Sequence, residues 1–325
     1  MRLAADCAAA QAEAMIEHLC DDLGVVLRRD MVAAGIHDSA IRRLCRGGVL
    51  VRLRHGVYAL AGRLEQSTPR QRHAMLVSGV MRLYGDDVAL SHTSASLEYG
   101  SPDWQVPLGL VHMTDLFGAG ERTQASVRHH HGECDVHDVT RRNGHWITTP
   151  IRTALDVASV LPREAAVCTL DWFLNQSLVT RDELSAALER RTQWQHHLDV
   201  MVKLDATSAE SESVGESRAR LLFQDHGLPR PVLQLDLFEP DGTLIGRVDF
   251  AWPERKVIVE FDGKVKYREH RRPGESVEEA VMREKRREDR LRAQGWLVVR
   301  MTWQDLEHPG QFVARLRTLV ARAAA

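Results

Sequence analysis

Hydrophobic and polar positions alternate most sharply from Gly246 to Lys264, where GRVDFAWPERKVIVEFDGK reads as two strands joined by a short turn. Side chains alternate faces along a strand. Val257, Val259 and Phe261 therefore fill one face, while Ile258 shares the other with Glu260, Asp262 and Lys264. The turn falls between Trp252 and Lys256. A two- or four-residue loop pairs Asp249 with an even-numbered residue of the second strand, and the four-residue loop sets it opposite Glu260. A three-residue loop sends it to the wrong face.

The same patterning divides the rest of the chain. Near the N-terminus it predicts helices over 9–18, 28–34 and 39–45, with a tight turn at Ala34-Gly35-Ile36 and Asp38 or Ser39 as N-cap of the third. VLVRLRHGVYAL then alternates, turns at His55-Gly56 and returns as a second strand. Three helices and a hairpin make the order of a winged helix-turn-helix, assigned to 1–66. Residues 67–205 read as a mixed α/β middle module. It has a helix over 69–83, strands near 108–113, 126–131 and 145–148, and helices over 151–160, 163–176 and 181–190. Asp205 to Ser213, DATSAESES, is small and polar, as a linker or helix entry would be. Residues 206–325 form a third α/β domain. A helix over 211–226 is closed by Gly227, and strands lie near Val232, Leu244 and Val257, punctuated by Asp236, Asp241-Gly242 and Pro253. A helix over 277–294 and a strand over 296–302 follow.

Composition narrows the class. The 325 residues suffice for several cores, and 44% apolar with 27% charged residues describes a water-soluble globular protein. No apolar run approaches a membrane span, and the start lacks signal-peptide architecture, so a cytoplasmic location is expected. The five cysteines, at 7, 20, 45, 134 and 168, form no CxxC pair, which argues against structural zinc and a disulfide framework. The net charge of -2 does not suggest nucleic acid, but its distribution does: seven arginines face two acids between Arg28 and Arg54. The third helix would offer Arg42, Arg43 and Arg46 to the major groove, and the hairpin Arg52 and Arg54 to phosphates or the minor groove. The plainer reading is a small helical domain with solvated arginines.

Two further clusters invite chemistry. Carboxylates set into a buried strand repel one another and lose hydration, which is costly without a metal or a cationic partner. Asp249, Glu260 and Asp262 pose that problem; an edge strand with solvated acids, or acids paired with Arg247 and Lys264, would avoid it. Histidines 129, 130, 131, 137 and 145, with Cys134 and Glu133, suggest zinc by proximity, but consecutive histidines on a strand point to opposite faces. A polar strand or a nucleic-acid-facing surface is the favoured reading there.

Asp249 followed after ten residues by Glu260-Phe261-Asp262-Gly263 resembles the PD-(D/E)xK nuclease superfamily, closest to the small endonuclease-like domains related to very-short-patch repair enzymes. The resemblance runs from about 211 to 317 and takes in SVGESRARLLF, REKRREDRLRAQG and WLVVRMTW. It implies a restriction-endonuclease-like domain in which Asp249 and Glu260 hold Mg²⁺ or Mn²⁺ and Glu216 is a further acid from the preceding helix. The superfamily's lysine two residues after the Glu is Asp262 here, which leaves Lys264 as the nearest lysine on that face. The implied activity is hydrolysis of DNA phosphodiesters targeted by the winged helix, with RNA open as a substrate.

The segment RRDMVAAGIHDSAIRRLCRGGVLVRLRHGVYAL resembles the N-terminal domain of AbiEi-type antitoxins of type IV toxin–antitoxin systems. The likeness extends more loosely through SHTSASLEYGSP, VHMTD and TTPIRTALDVAS. It implies the competing role, a non-enzymatic DNA-binding autoregulator or antitoxin that keeps a degenerate nuclease fold. Asp262 at the usual lysine position favours that role. A third possibility is a toxic C-terminal effector restrained by the N-terminal part. Oligomeric state is not set by the sequence.

Overall fold

The computed structural model describes residues 14–117, 120–131, 134–263 and 275–321. The chain divides into two compact units, Met1–Leu161 with Ala186–Trp194, and Pro162–Ser185 with Gln195–Ala325.

The first unit opens with helical residues 14–19 (α1), followed by β1 (Val25–Leu27), α2 (Arg28–Ala33), α3 (Asp38–Arg46), β2 (Leu50–Arg54) and β3 (Val57–Leu60). The expected hairpin turns at His55-Gly56, where Gly56 takes φ +81°, a conformation that costs glycine little. A strand not foreseen, β1, completes the sheet in the order β1-β3-β2. Ile16, Met31, Ile36, Ile41, Leu44 and Leu50 form the core beneath it. Neither Asp38 nor Ser39 caps α3: both lie inside the helix, His37 holds the cap position without a side-chain bond, and Asp38 is paired with Arg28.

After α4 (Ala61–Glu65), α5 (Pro69–Tyr84) starts with Thr68 and Gln71 as a reciprocal capping box and Pro69 at the first position. A Cβ on Gly79 would lie 2.2 Å from Val57 Cγ1, so only glycine lets α5 approach β3 this closely. A six-stranded mixed sheet follows, in the order β6-β7-β5-β4-β9-β8. Its strands are β4 (Val88–Leu90), β5 (Val111–Asp115), β6 (Arg122–Gln124), β7 (Val127–His130), β8 (Val139–Arg142) and β9 (His145–Thr148). Helices α6 (His92–Tyr99) and α7 (Pro150–Val160) belong to this unit.

The second unit contains α8 (Arg163–Asn175), α10 (His197–Asp205) and α11 (Val214–Asp225); the residues of α9 (Arg181–Glu189) divide between the units. Then come β10 (Val232–Phe238), β11 (Leu244–Trp252), β12 (Val257–Phe261), α12 (Val277–Ala293), β13 (Leu297–Met301), α13 (Trp303–Glu307) and α14 (Gly310–Ala321). The sheet runs β10-β11-β12-β13, with β12 antiparallel to β11 and parallel to β13. A parallel neighbour requires a crossover, which the stretch containing α12 supplies. Strand β12 is covered on both faces. Val257, Val259 and Phe261 join a core with Phe223, Phe250 and Met301, while Ile258 packs with Val248, Leu291 and Trp296. A Cβ on Gly215 would meet Phe261 Cε1 at 2.0 Å, so α11 also depends on a glycine to pack on β12.

One expectation changes here and one is narrowed. Asp236 lies inside β10, paired with Arg247 at 2.9 Å, and does not break the meander. Of the two readings of 205–213, its end is a helix entry, with Ser213 as N-cap of α11, and part of the stretch is tied down although Asp205, Ala209, Glu210 and Glu212 are exposed. The Ser208 N–H donates to Asp171 Oδ1 at 2.7 Å, Arg220 donates to the Ala206 carbonyl at 2.5 Å, and Thr207 and Ser211 are buried. Among the described residues no helix is long and apolar enough to cross a membrane.

Candidate functional site

Helix α3 is amphipathic. Ile41 and Leu44 point into the core, and Arg42 and Arg43 between them and Arg46 beyond are exposed. The start of α3 is fixed by Arg28, whose Nε and Nη2 donate to Asp38 at 2.7 and 2.5 Å. That bidentate bond to Arg28 lowers the Asp38 carboxyl below its ordinary range. On the wing, Arg52 is exposed and donates to the Arg54 carbonyl at 3.3 Å, with its Nη2 3.1 Å from His55 Nδ1. Arg54 differs: it is half-buried, its guanidinium carbon lies 5.7 Å from the centre of the Tyr84 ring, and its Nε and Nη1 are buried with no hydrogen-bond partner. Arg42, Arg43, Arg46 and Arg52 are thus exposed, and Arg54 is half-buried.

The acidic ribbon has the four-residue connection, Pro253 to Lys256, with Lys256 at φ 52°. Its register pairs Phe250 with Val259 and Ala251 with Ile258, so one further step sets Asp249 across from Glu260. Both carboxylates already have partners. Asp249 Oδ2 accepts from the Phe261 N–H at 2.8 Å. Glu260 receives the Arg287 guanidinium, which also donates to both oxygens of Glu284 at 3.1 Å. Burial raises the Glu260 carboxyl above its ordinary range, against the opposing pull of Arg287. A Cβ on Gly246 would lie 2.9 Å from Arg287 Cδ, so this glycine leaves room for the arginine. Asp262 lies 3.8 Å from Arg300, and Lys264 is outside the described residues.

Glu216, on α11, reaches the ribbon through Gln234, the β10 residue between Leu233 and Leu235, which pair with Phe250 and Val248 on either side of Asp249. It is 4% exposed and accepts from the Glu212 N–H and Gln234 Nε2, both at 2.9 Å, and from the Ser213 hydroxyl at 2.7 Å. It is therefore a satisfied helix-start residue and not half of a surface pair with Arg220, which binds Asp171 at 2.7 Å. Among the described residues, no group of three or more His, Cys, Asp or Glu is gathered as a metal would require.

The histidine-rich strand also resolves. His129 meets the edge of Tyr84, whereas His130 stacks on His92 with centroids 3.5 Å apart. His112 Nδ1 and His130 Nε2 are 2.9 Å apart and share a proton in a hydrogen bond. His92 Nδ1 lies 3.8 Å from Asp156, which accepts from Arg152 Nε at 2.8 Å; Arg152 also donates to Asp138 at 2.8 Å. Burial lowers His112 to about 4 and His130 to about 3, and raises Asp156 to about 6. His131 and His137 are exposed, and His145 pairs with Glu98 at 3.1 Å. Sequence proximity missed this cluster, because His92, His112 and Asp156 come from elements distant in the chain.

Comparison with known proteins places these features. Residues 13–61 match the model described as a transcriptional regulator, AbiEi antitoxin, and residues 59–198 match the AbiEi antitoxin C-terminal domain. The chain belongs to the AbiEi antitoxin family. Two Mycobacterium tuberculosis proteins, MT2308 of strain CDC 1551 / Oshkosh and Rv2248 of strain ATCC 25618 / H37Rv, are both described as uncharacterized. Each is 30% identical to this AbiEi-family chain over 286 residues, covering 86% of it and 95% of the relative. The crystal structure of the RV2827C protein from Mycobacterium tuberculosis aligns with a TM-score of 0.40 at 19% identity, over 72% of this chain and 89% of that one. The two family segments hold the winged helix and the six-stranded sheet; the acidic ribbon lies beyond both.

Proposed function

We propose that this AbiEi-family protein is a non-enzymatic, DNA-binding autoregulator of a toxin–antitoxin system, as antitoxin. The observation that carries the reading is the exposed arginine face of α3 beside a wing, inside the segment that matches an AbiEi transcriptional regulator. Arg42, Arg43 and Arg46 would sit along the major groove, and Arg52 would meet the backbone from the wing. The test is binding of the full chain to duplex DNA from upstream of its own gene, measured by fluorescence anisotropy across a salt series. Arg42→Ala with Arg43→Ala should weaken binding and flatten the salt dependence. A folded protein that shows no salt-dependent binding would remove the regulator reading.

A second reading is favoured by one observation, the register that sets Asp249 across from Glu260. The order α11, β10 to β12, α12, β13 is also the order of a restriction-endonuclease-like core, which supports retention of that fold in 206–325. Here Asp249 and Glu260 would hold Mg²⁺ or Mn²⁺. When bound, that ion would supply charge neutralisation at a nucleic-acid phosphate and an acidified water. The charges fit a divalent ion, but Arg287 occupies one carboxylate and a backbone N–H the other. Nicking of plasmid DNA that requires Mg²⁺ and disappears in Asp249→Ala would put this reading first.

A further inference from the structure

A cleft of about 670 Å³ lies along α5 in the first unit, within the size range of small-molecule sites. Arg70, Ala74, Val77 and Met81 recur at helical spacing and give it one face of α5, apolar after Arg70. The turn between α1 and β1, helix α6 and the β8–β9 turn complete the lining. Its charge is one-sided: four carboxylates line it against two arginines, and both arginines are already committed. Arg70 donates to the Ser101 and Leu97 carbonyls at 2.6 and 2.7 Å. Arg82 donates to Asp30 at 2.8 Å and to the Val25 carbonyl at 3.0 Å, and pairs with Asp21 at 3.3 Å. The smaller donors are turned inward as well. The Ser78 hydroxyl donates to Asp21. His73 Nδ1 donates to the Leu108 carbonyl at 2.9 Å, which leaves Nε2 to accept from the Ser94 hydroxyl at 3.1 Å. Asp86 is answered by Arg141 at 2.6 Å, but two other acids keep acceptors to spare. Asp22 is exposed and has no hydrogen bond or ion pair among the described residues. Glu98 has a side chain 14% exposed and receives one donor on each oxygen, from Asn143 and His145, both at 3.1 Å. A carboxylate has about four acceptor sites, so Glu98 is half satisfied.

We propose that this cleft binds a small organic cation, an amine carried on an apolar body. The lining offers such a ligand what it lacks in water: an apolar surface at Ala74, Val77 and Met81, and carboxylate oxygens with room for further donors. The ammonium meets Glu98, where partial burial strengthens the attraction, and Asp22 adds a weaker, solvent-screened pull. An anion would find no uncommitted guanidinium there. The site does not depend on the DNA-binding reading.

Titration calorimetry of the full chain tests it, with phenethylamine as probe and phenethyl alcohol and phenylacetate as neutral and anionic counterparts of similar size. The amine should bind with a dissociation constant of about 1 mM, the scale for a ligand of so few atoms. The alcohol should bind about tenfold more weakly, for want of one charge-assisted bond, and phenylacetate should give no heat. Glu98→Gln keeps the shape of the side chain and should weaken the amine about tenfold while leaving the alcohol unchanged. A merely structural Glu98 would weaken both alike. Asp22→Asn should weaken the amine less, and its effect should vanish as salt is added. Ala74→Phe fills the cleft from an exposed position and should abolish amine binding at an unchanged melting temperature. Equal affinities for amine and alcohol, or an amine affinity that Glu98→Gln leaves at its wild-type value, would overturn the cation site. So would amine binding that survives Ala74→Phe, or wild type that shows neither heat nor thermal protection with the amine. If Glu98→Gln melts early, the comparison of amine with alcohol and the Ala74→Phe variant still decide.

Discussion

Helix α3 and strand β12 both gather charge, and they differ in what surrounds it. On α3, Arg42, Arg43 and Arg46 stand in solvent over a buried Ile41 and Leu44. On β12, Glu260 is largely buried between two cores, and Arg287 reaches it through space left by Gly246. Solvated charges of one sign keep their hydration and remain ready for a partner with many phosphates. A buried carboxylate has already lost its hydration, and its compensation is built into the fold. The two patterns look equally functional when read as residue types, but only the first leaves its charge uncommitted.

The largest expected effect breaks the compensated side. Arg287→Ala leaves Glu260 buried without its guanidinium, so it should destabilise the protein by about 3 kcal/mol; Glu260→Ala should cost less, because Arg287 keeps Glu284. Chemical denaturation would measure this. The double variant Glu260→Gln with Arg287→Met should recover part of the loss, because position 260 no longer carries a buried charge, while Glu284 keeps Arg300 at 3.5 Å. Equal losses in the single and double variants would mean that packing, not charge compensation, dominates.

The next effect concerns buried groups that stay neutral. His112 and His130 are held by burial at about 4 and about 3, and His92 lies well below its ordinary value. They face one another, His73, Asp156, Arg128 and Arg152. The unfolded chain takes up these protons near pH 6.5 and the folded chain does not, so stability is complete above that pH and is lost as pH falls towards 4. Asp156 acts in the opposite sense: raised to about 6, it regains stability as pH falls below that value. Depressed histidines outnumber the raised acid, so the net should be a loss of about 2 kcal/mol from pH 6.5 to pH 5. His130→Phe should flatten the decline in melting temperature over that range. A flat wild-type profile would show that the cluster opens to solvent.

On the uncommitted side, Arg42→Ala with Arg43→Ala should weaken DNA binding about tenfold or more and lower the salt slope by roughly one per lost phosphate contact. Stability should change by less than about 0.5 kcal/mol, as for exposed positions in general. A large stability loss would mean that these arginines hold the helix rather than the duplex.

Much of this was legible. The strand alternation fixed which face of β12 each residue takes, and the four-residue turn fixed the parity that sets Asp249 across from Glu260. The hairpin followed from His55-Gly56 and α5 from its apolar spacing, and α12, expected over 277–294, spans Val277–Ala293; the capping boxes that start both helices were not read from the sequence. What escaped has physical reasons. Strand β4 is three fully buried residues, Val88 to Leu90, too short to show a period. Helix α6 buries His92, Thr93, Ser94 and Ser96 together with Ala95 and Leu97, so it lacks a polar face to reveal it. Strands β6 and β8 sit at the sheet's outer positions and are mostly exposed, without an apolar stripe. The meeting of His92, His112 and His130 depends on the order β7-β5-β4, a long-range pairing that no local pattern encodes. Arg287 reaching Glu260 is of the same kind: the basic helix is obvious in the sequence, but its target is not.

The smallest expected effect bears most directly on the two readings of the ribbon. With Arg287 on Glu260 and the Phe261 N–H on Asp249, the described acids have little left to offer a divalent ion. Adding Mg²⁺ or Mn²⁺ to the full chain should therefore move the unfolding free energy by less than about 0.5 kcal/mol. A ligand at a hundred times its dissociation constant would instead add about 2.7 kcal/mol, because it binds the folded state alone. Arg287→Gln removes the competing cation while keeping some of the side chain's volume. If that variant gains a Mg²⁺-dependent stabilisation that Asp249→Ala cancels, Arg287 is what keeps the carboxylate pair from binding metal. If wild type is strongly stabilised by Mg²⁺, Arg287 must leave Glu260 readily, and the nuclease reading gains at the regulator's expense. If neither protein responds, the ribbon's acids belong to the fold, and the chemistry of this chain lies with its arginines.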